Sequence, residues 1–239
     1  MQDTTRRSRK VFTNRHGGFS QPPYGSFNLG DHVGDDPESV ARNRQRLADA
    51  MGIERSRFVY MEQVHSNTVT VVTGPQQQAV PATDALVTTT VGLALVVLVA
   101  DCVPVLLSDD QAGVAAAVHA GRMGARNAIL ARTVATMVAQ GAHPEHIHAL
   151  LGPAASGRNY EVPPEMAADV EKHLPGSATR TTQGTTGVDV RAGLVRQLYE
   201  LGVRHVNTLP HCTIDDGNYF SYRREGTTGR QAGVVVLPE

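Results

Sequence analysis

At 239 residues, with 41% hydrophobic and 19% charged side chains, the chain can bury a sizeable core and lacks the charge excess of a disordered protein. A net charge of -1 and only two cysteines give no electrostatic case for nucleic acid or an anionic membrane and argue against a disulfide scaffold. Of the 22 basic residues only Lys10 and Lys172 are lysine; arginine suits planar, bidentate partners such as carboxylate and phosphate.

The first residues, MQDTTRRSRKVF, are basic, but no apolar signal core follows. A reducing cytoplasm is the expected location. Residues 11–34 are dominated by Gly, Pro, Asn and Ser, so they are expected to be loop or very short strands. Such a long irregular stretch in a compact fold is usually functional or disordered. Residues 36–52 should be helical: Pro37 suits a first helical position, Val40, Leu47 and Met51 form a stripe, and Gly52 is a stop. Residues 57–64 and 69–72 are expected strands, separated from the next block by a Gln-rich loop at 74–81.

The centre of the chain is residues 84–119. An apolar run at 91–100 delivers Asp101 and Cys102, and a second run at 103–107 follows at once. A polar turn then leads to a third run, ending on His119. These Val, Leu and Ala runs lack a helical period and are bounded by Gly and turn residues, which marks buried strands. They are interrupted by Asp101 and Pro104, so they do not form a membrane span. Ala125, Ile129, Thr133 and Met137 recur at i+4, predicting one amphipathic helix over 125–140. Its glycine-containing start, 120–124, would aim free N–H groups near His119, an anion site. Residues 147–151 form a short strand, 163–174 a helix with proline in its first turn, 189–201 a helix capped by Asp189, and 203–209 a strand. The polar stretch 213–229 is rich in Gly and Arg, and 232–237 closes with a strand. Without repeats or linkers, residues 1–239 are expected to form a single domain.

His65, Cys102 and His119 each follow or end an apolar run, where a side chain can be held rigidly. Three such donors leave a fourth tetrahedral position open, the pattern of catalytic zinc. Their spacing matches no short metal signature. The same residues also allow a Cys102 nucleophile with His119 as its base, or an inert buried cysteine with two unrelated histidines. Asp101 is either a pocket-rim carboxylate or a loop cap. His143, His146 and His148 belong to a wet loop, Cys212 beside His211 is structural, and His16 and His32 are candidates to line a pocket.

Taken in order, several segments resemble one family. They are FTNRHGGFS (12–20), FNLGDHVGDD (27–36), Asn43-Arg44, QVHSNTV (63–69), TDALVT (83–88), ADCVPVLL (100–107), AAVHAG (116–121), LGPA (151–154), NYEV (159–162), DVRAGL (189–194), CT (212–213) and FSYRREGTTGRQAGVVVL (220–237). The chain is similar to the laccase-domain, or multicopper polyphenol oxidase-like, proteins, also described as purine nucleoside phosphorylases and including a peptidoglycan editing factor. The resemblance implies an α+β fold of two packed mixed sheets with helices outside, in α/β/β/α layers. It implies zinc on His65, Cys102 and His119, with copper as the alternative metal. It further implies phosphorolysis of purine nucleosides or adenosine deamination, on small-molecule substrates without nucleic acid or membrane. On that reading Arg44 and Arg122 are expected to bind phosphate, Asn28 and Gln63 the sugar or base, and Asp101 to move a proton. Rival expectations are a peptidoglycan-precursor hydrolase, a cysteine hydrolase, a copper-dependent polyphenol oxidase and a vestigial nucleoside- or protein-binding domain. The sequence departs from the family's HAGWRG at 119–124, where HAGRMG places Arg122 and Met123. It also departs at 152–157, which reads GPAASG.

Overall fold

A computed structural model describes residues 7–238. Its strands, in chain order, are β1 (Arg9–Phe12), β2 (Phe58–Val59), β3 (Val69–Val71), β4 (Ala85–Thr88), β5 (Ala94–Val99), β6 (Val103–Asp109), β7 (Val114–Ala120), β8 (His148–Leu151), β9 (Ala178–Arg180), β10 (Thr186–Val188), β11 (His205–Thr208) and β12 (Gln231–Val236). The helices are α1 (Pro37–Met51), α2 (Arg122–Arg126), α3 (Ile129–Ala139), α4 (Pro164–His173), α5 (Val190–Glu200) and α6 (Tyr222–Glu225). No helix among the described residues is long and apolar enough to cross a membrane.

Two mixed sheets carry the architecture. The smaller runs β1-β12-β5-β2 and the larger β11-β8-β6-β7-β4-β3, with β9 and β10 paired separately. The β2–β5, β3–β4 and β8–β11 pairs are parallel; the other pairs are antiparallel.

Strand alternation assigns each residue to a layer. Ala94, Val96 and Leu98 of β5 pack with Leu47, Ala48 and Met51 of α1. The intervening Leu95, Val97 and Val99 face the other sheet, meeting Leu86, Leu106, Ala115 and Ala117. On the far side of the larger sheet, Val103, Val105 and Leu107 of β6 pack with Ile129, Leu130 and Met137 of α3 and Leu194 and Leu198 of α5. The order is therefore helix, sheet, sheet, helices, as the family resemblance implies. Both faces of β5 and β6 are buried, which is why their sequences are unbroken apolar runs rather than alternating ones.

The helix at 36–52 has the expected ends. The Asp36 side chain accepts from the N–H groups of Glu38 and Ser39, and Gly52 closes the helix at φ 64°. Two expectations are corrected. The strand expected over 57–64 contracts to β2, because beyond Val59 the chain leaves the sheet edge, keeping one bridge from Met61 to Val80. The single helix expected over 125–140 is two helices, broken at Asn127–Ala128, with Ala128 at φ 64°. Its halves answer to different partners. Gly124 of α2 packs so closely on the loop at 65–67 that a Cβ would lie 2.9 Å from the Ser66 carbonyl oxygen. The α3 face instead lies on the larger sheet. The Asn67 amide donates to the Asn127 carbonyl at 2.8 Å, satisfying an acceptor at the break.

Leu106 is completely buried between the sheets. Leu106→Ala should lower the unfolding free energy by about 2–5 kcal/mol, read from the urea midpoint.

Candidate metal centre and its cleft

Successive strands β5 and β6 lie in different sheets, so residues 100–102 carry the chain from one to the other. Asp101 makes that turn at φ 90°. Cys102 emerges from it on the inter-sheet side, at the edge of the core formed by Val97, Val99 and Leu106. β7 pairs antiparallel with β6, setting His119 opposite Pro104. By alternation His119 shares the inter-sheet side with Ala115 and Ala117. His65 comes from the loop between β2 and β3 and sits at φ 61°. The expectation of three strand ends thus holds for His119 and, as the residue just before β6, for Cys102; His65 is a loop residue.

The donor atoms of His65, Cys102 and His119 all lie within 4.8 Å of one another. Cys102 Sγ is 3.8 Å from His65 Nε2, and the two imidazoles meet edge to face with centroids 4.7 Å apart. Among the described residues this is the one group of three or more such donors close enough to hold a metal ion. Gly121 keeps the space open: a Cβ there would lie 2.8 Å from His65 Cδ2 and 2.9 Å from Cys102 Sγ. Two nitrogens and a sulfur suit one tetrahedral ion with a vacant fourth position.

Behind the donors sits Asp84, which is fully buried. Its carboxylate accepts from His119 Nδ1 at 2.8 Å and from the His65 N–H at 3.0 Å. Burial alone would raise its pKa, but the hydrogen bonds from His119 and Ser66 overcome it and hold the carboxyl down to about 2. Burial likewise opposes ionisation of Cys102, yet the charge of His119, with hydrogen bonds from both histidines, draws the thiol below its ordinary value. The partner shift is upward: burial disfavours charge on His119, but Cys102 and Asp84 more than compensate. The thiolate is the form that ligates a metal, and a bound cation would take the imidazolium proton's place beside it.

His65 and Cys102 form part of the lining of a cleft of about 500 Å³, with the buried His119 and Asp84 behind them. Of the residues singled out from sequence, Asp101, Gln63 and Arg122 line it, as does His32. Asp101 Oδ1 accepts from Thr213 Oγ1 at 2.6 Å, and Oδ2 from the Arg223 N–H at 2.7 Å. Gln63 spends its amide on the backbone of Leu98, donating to O at 2.7 Å and accepting from N–H at 2.8 Å. Asn28 and Arg44 are not brought to the cleft. The Asn28 amide makes four bonds within the protein, to the N–H and carbonyl of Gly30, the N–H of Arg230 and the carboxylate of Asp35. Arg44 stacks 3.9 Å over the Tyr60 ring and pairs with Asp31 at 3.1 Å, in a separate groove. Cys212 is structural, accepting from the Ser156 N–H and the Asn159 amide, each at 3.3 Å. His16 bonds Asn218 rather than facing the cleft.

Sequence reading missed Tyr160, Tyr222, Arg223 and Arg230, all lining the cleft. The one available signal was the density of arginines in the polar stretch before the last strand. Burial lowers the pKa of Arg230, while Cys102 and Asp101 oppose that shift. Arg223 lies 4.8 Å over the Tyr160 ring and donates to the Glu161 carbonyl at 2.9 Å.

Fold and cleft define a two-sheet α+β protein with a His-Cys-His donor group at the rim of its inter-sheet core. The chain belongs to the family described as multi-copper polyphenol oxidoreductase laccase, which matches residues 9–238. It is 68% identical to a Corynebacterium glutamicum protein named purine nucleoside phosphorylase, over 97% of this chain and 95% of that one. A Mycobacterium tuberculosis protein of the same name is 55% identical over 97% of this chain and 92% of its own. Among solved structures, YlmD from Geobacillus stearothermophilus superposes with a TM-score of 0.91 at 31% identity, covering 97% and 92% of the two chains. The Bacillus licheniformis hypothetical protein YfiH gives 0.89 at 29% identity, covering 96% and 92%.

Elemental analysis should find about one metal ion per chain. Cys102→Ala should lose it and Cys212→Ala should keep it. Alkylating reagents should label Cys102 slowly until a chelator is added; equally fast labelling in the loaded protein would mark a free nucleophile instead. Gly121→Ala should weaken metal binding because its methyl occupies the donors' space.

Proposed function

We propose that this chain is a zinc-dependent purine nucleoside phosphorylase. The observation that carries the reading is that one cleft is lined by two members of the His-Cys-His group, His65 and Cys102, and by Arg122, Arg223 and Arg230, with the third donor, His119, buried just behind. The names of the relatives supply the substrate class. In phosphorolysis a phosphate oxygen bonds to the ribose C1′ as the C1′–N9 bond breaks, and the departing purine takes the bonding pair and a proton. The site must therefore hold a polyanion beside a neutral, planar base.

The residues present match those demands. Arginine binds phosphate bidentately, and three of them can neutralise its charge and fix its attacking oxygen. Tyr222, with 61% of its surface exposed, offers an aromatic face at the cleft. Asp101 holds the first turn of α6 through the Arg223 N–H, so its contribution is to aim Arg223 as well as to offer a carboxylate at the cleft wall. Gln63, tied to Leu98, shapes the edge of β5. His65, Cys102 and His119 would hold the zinc, which when bound supplies a Lewis acid and an activated water. That open position also supports adenosine deamination as a second activity. The family's copper-oxidase description fits less well, because among the described residues there is one three-donor group and several copper ions would need more.

Purified protein incubated with adenosine and phosphate should yield adenine and ribose 1-phosphate. Inosine would instead mark deamination, and absence of any product would defeat both activities. Arg122→Ala should raise the phosphate KM, for a loss of roughly 1.5–3 kcal/mol, the worth of a charged hydrogen bond, with zinc content unchanged. Met123→Arg should be neutral or raise turnover. If Arg122→Ala leaves phosphate kinetics untouched while Met123→Arg creates activity from nothing, the natural protein has lost phosphorolysis.

A further inference from the structure

We propose that Asp84 is the positioning residue of this centre, its single carboxylate setting the ring of one histidine ligand and the backbone of the other. The inference rests on the metal reading above. Asp84 immediately precedes β4 and has no exposed surface. Oδ1 accepts from His119 Nδ1 and from the His65 N–H. Oδ2 accepts from the N–H groups of Val64 at 3.3 Å and Ser66 at 2.7 Å, and from Ser66 Oγ at 2.7 Å. The Asp84 carbonyl takes the His119 N–H at 2.8 Å. One residue thus gathers three successive amides around the first ligand and holds both backbone and ring of the last.

The two halves of this arrangement have separate consequences. His65 occupies the left-handed region at φ 61°, which a residue with a Cβ adopts only when its surroundings hold it there. The amides of residues 64–66 wrap the carboxylate, and that wrapping holds the turn that sends the His65 ring toward Cys102. At His119 the carboxylate can only accept, so Nδ1 carries the proton and Nε2 keeps its lone pair for a metal ion held together with the other two donors. Losing the acceptor would free the ring to change tautomer. The metal-histidine-carboxylate relay commonly fixes one ligand; here the same group also fixes a second through the main chain.

The test strips the purified protein with a chelator and restores zinc or cobalt. Asp84→Asn keeps the side-chain size but turns one acceptor into an N–H₂ group, and because N–H donors face both oxygens, either orientation breaks the grip on the 64–66 turn or on the His119 ring. It should weaken zinc binding by about 10- to 100-fold in chelator competition and shift the cobalt–thiolate absorption. Ser66→Ala removes a donor to the same carboxylate while both histidines stay held, and should keep wild-type affinity and spectrum. A merely structural role predicts a different pattern, with affinity following the unfolding midpoint in both variants and the cobalt spectrum of folded Asp84→Asn unchanged. If Asp84→Asn does not fold, nitrogen NMR of the zinc-loaded wild type decides: His119 must be protonated at Nδ1 and metallated at Nε2, and the reverse overturns the proposal. Wild-type protein that takes up neither metal overturns this inference together with the metal reading. Wild-type uptake with an undisturbed Asp84→Asn variant overturns this inference alone.

Discussion

The arrangement depends on one step of the chain, from β5 in the smaller sheet to β6 in the larger. Both strands are buried on both faces, so the peptide between them must turn at the rim of the layer they enclose. The turn uses Asp101 at φ 90° and leaves Cys102 at the edge of apolar packing. The antiparallel β6–β7 ladder then brings His119 to the same rim. Asp101 also draws in distant segments: its carbonyl accepts from the Ala155 N–H and its carboxylate from Thr213 and Arg223. Parts of the chain remote in sequence meet there because two sheets must close over one core.

Charge in this region is arranged in opposition. Asp84 and Cys102 are acidic groups held low, His119 is a basic group held high, and Arg230 stands nearby with part of its surface buried. Buried charge persists only when paired and hydrogen-bonded, and each of these groups has partners in the protein. The cleft therefore has a floor of nitrogen and sulfur donors suited to a cation and a wall of guanidiniums suited to an anion. Such a division is what the phosphorolysis proposed above requires.

The departure at 119–124 looks different in three dimensions than in the sequence. Arg122 lines the cleft, while Met123 is 39% exposed and does not. Gly121 and Gly124, which flank them, both pack where a side chain would collide. The backbone of α2 is therefore strongly constrained, and the exchange of side chains at 122 and 123 alters what reaches the cleft without altering the path of the chain.

Much of the architecture was legible in residue order. Strands buried on both faces show as unbroken Val, Leu and Ala runs, and α1 was bracketed by Asp36 and Gly52. His65, Cys102 and His119 stood out as polar residues at the ends of such runs. The break between α2 and α3 was not legible, because apolar spacing continues in helical phase on both sides while the docking partners change. Asn28, in a Gly-rich segment, and Arg44, on α1, look like polar ligand-binding residues, but their hydrogen bonds turn inward to Gly30, Arg230, Leu29 and Asp31. By itself, then, the sequence determined the long buried strands and the ends of α1 and nominated the three donors, since burial and capping act over a few residues. Only the tertiary structure decided that β5 and β6 part into different sheets, that Asp84 serves two histidines, and that Arg223 and Arg230 line one cleft with Cys102. Those outcomes depend on which distant surfaces exclude water together, and local periodicity carries no record of that.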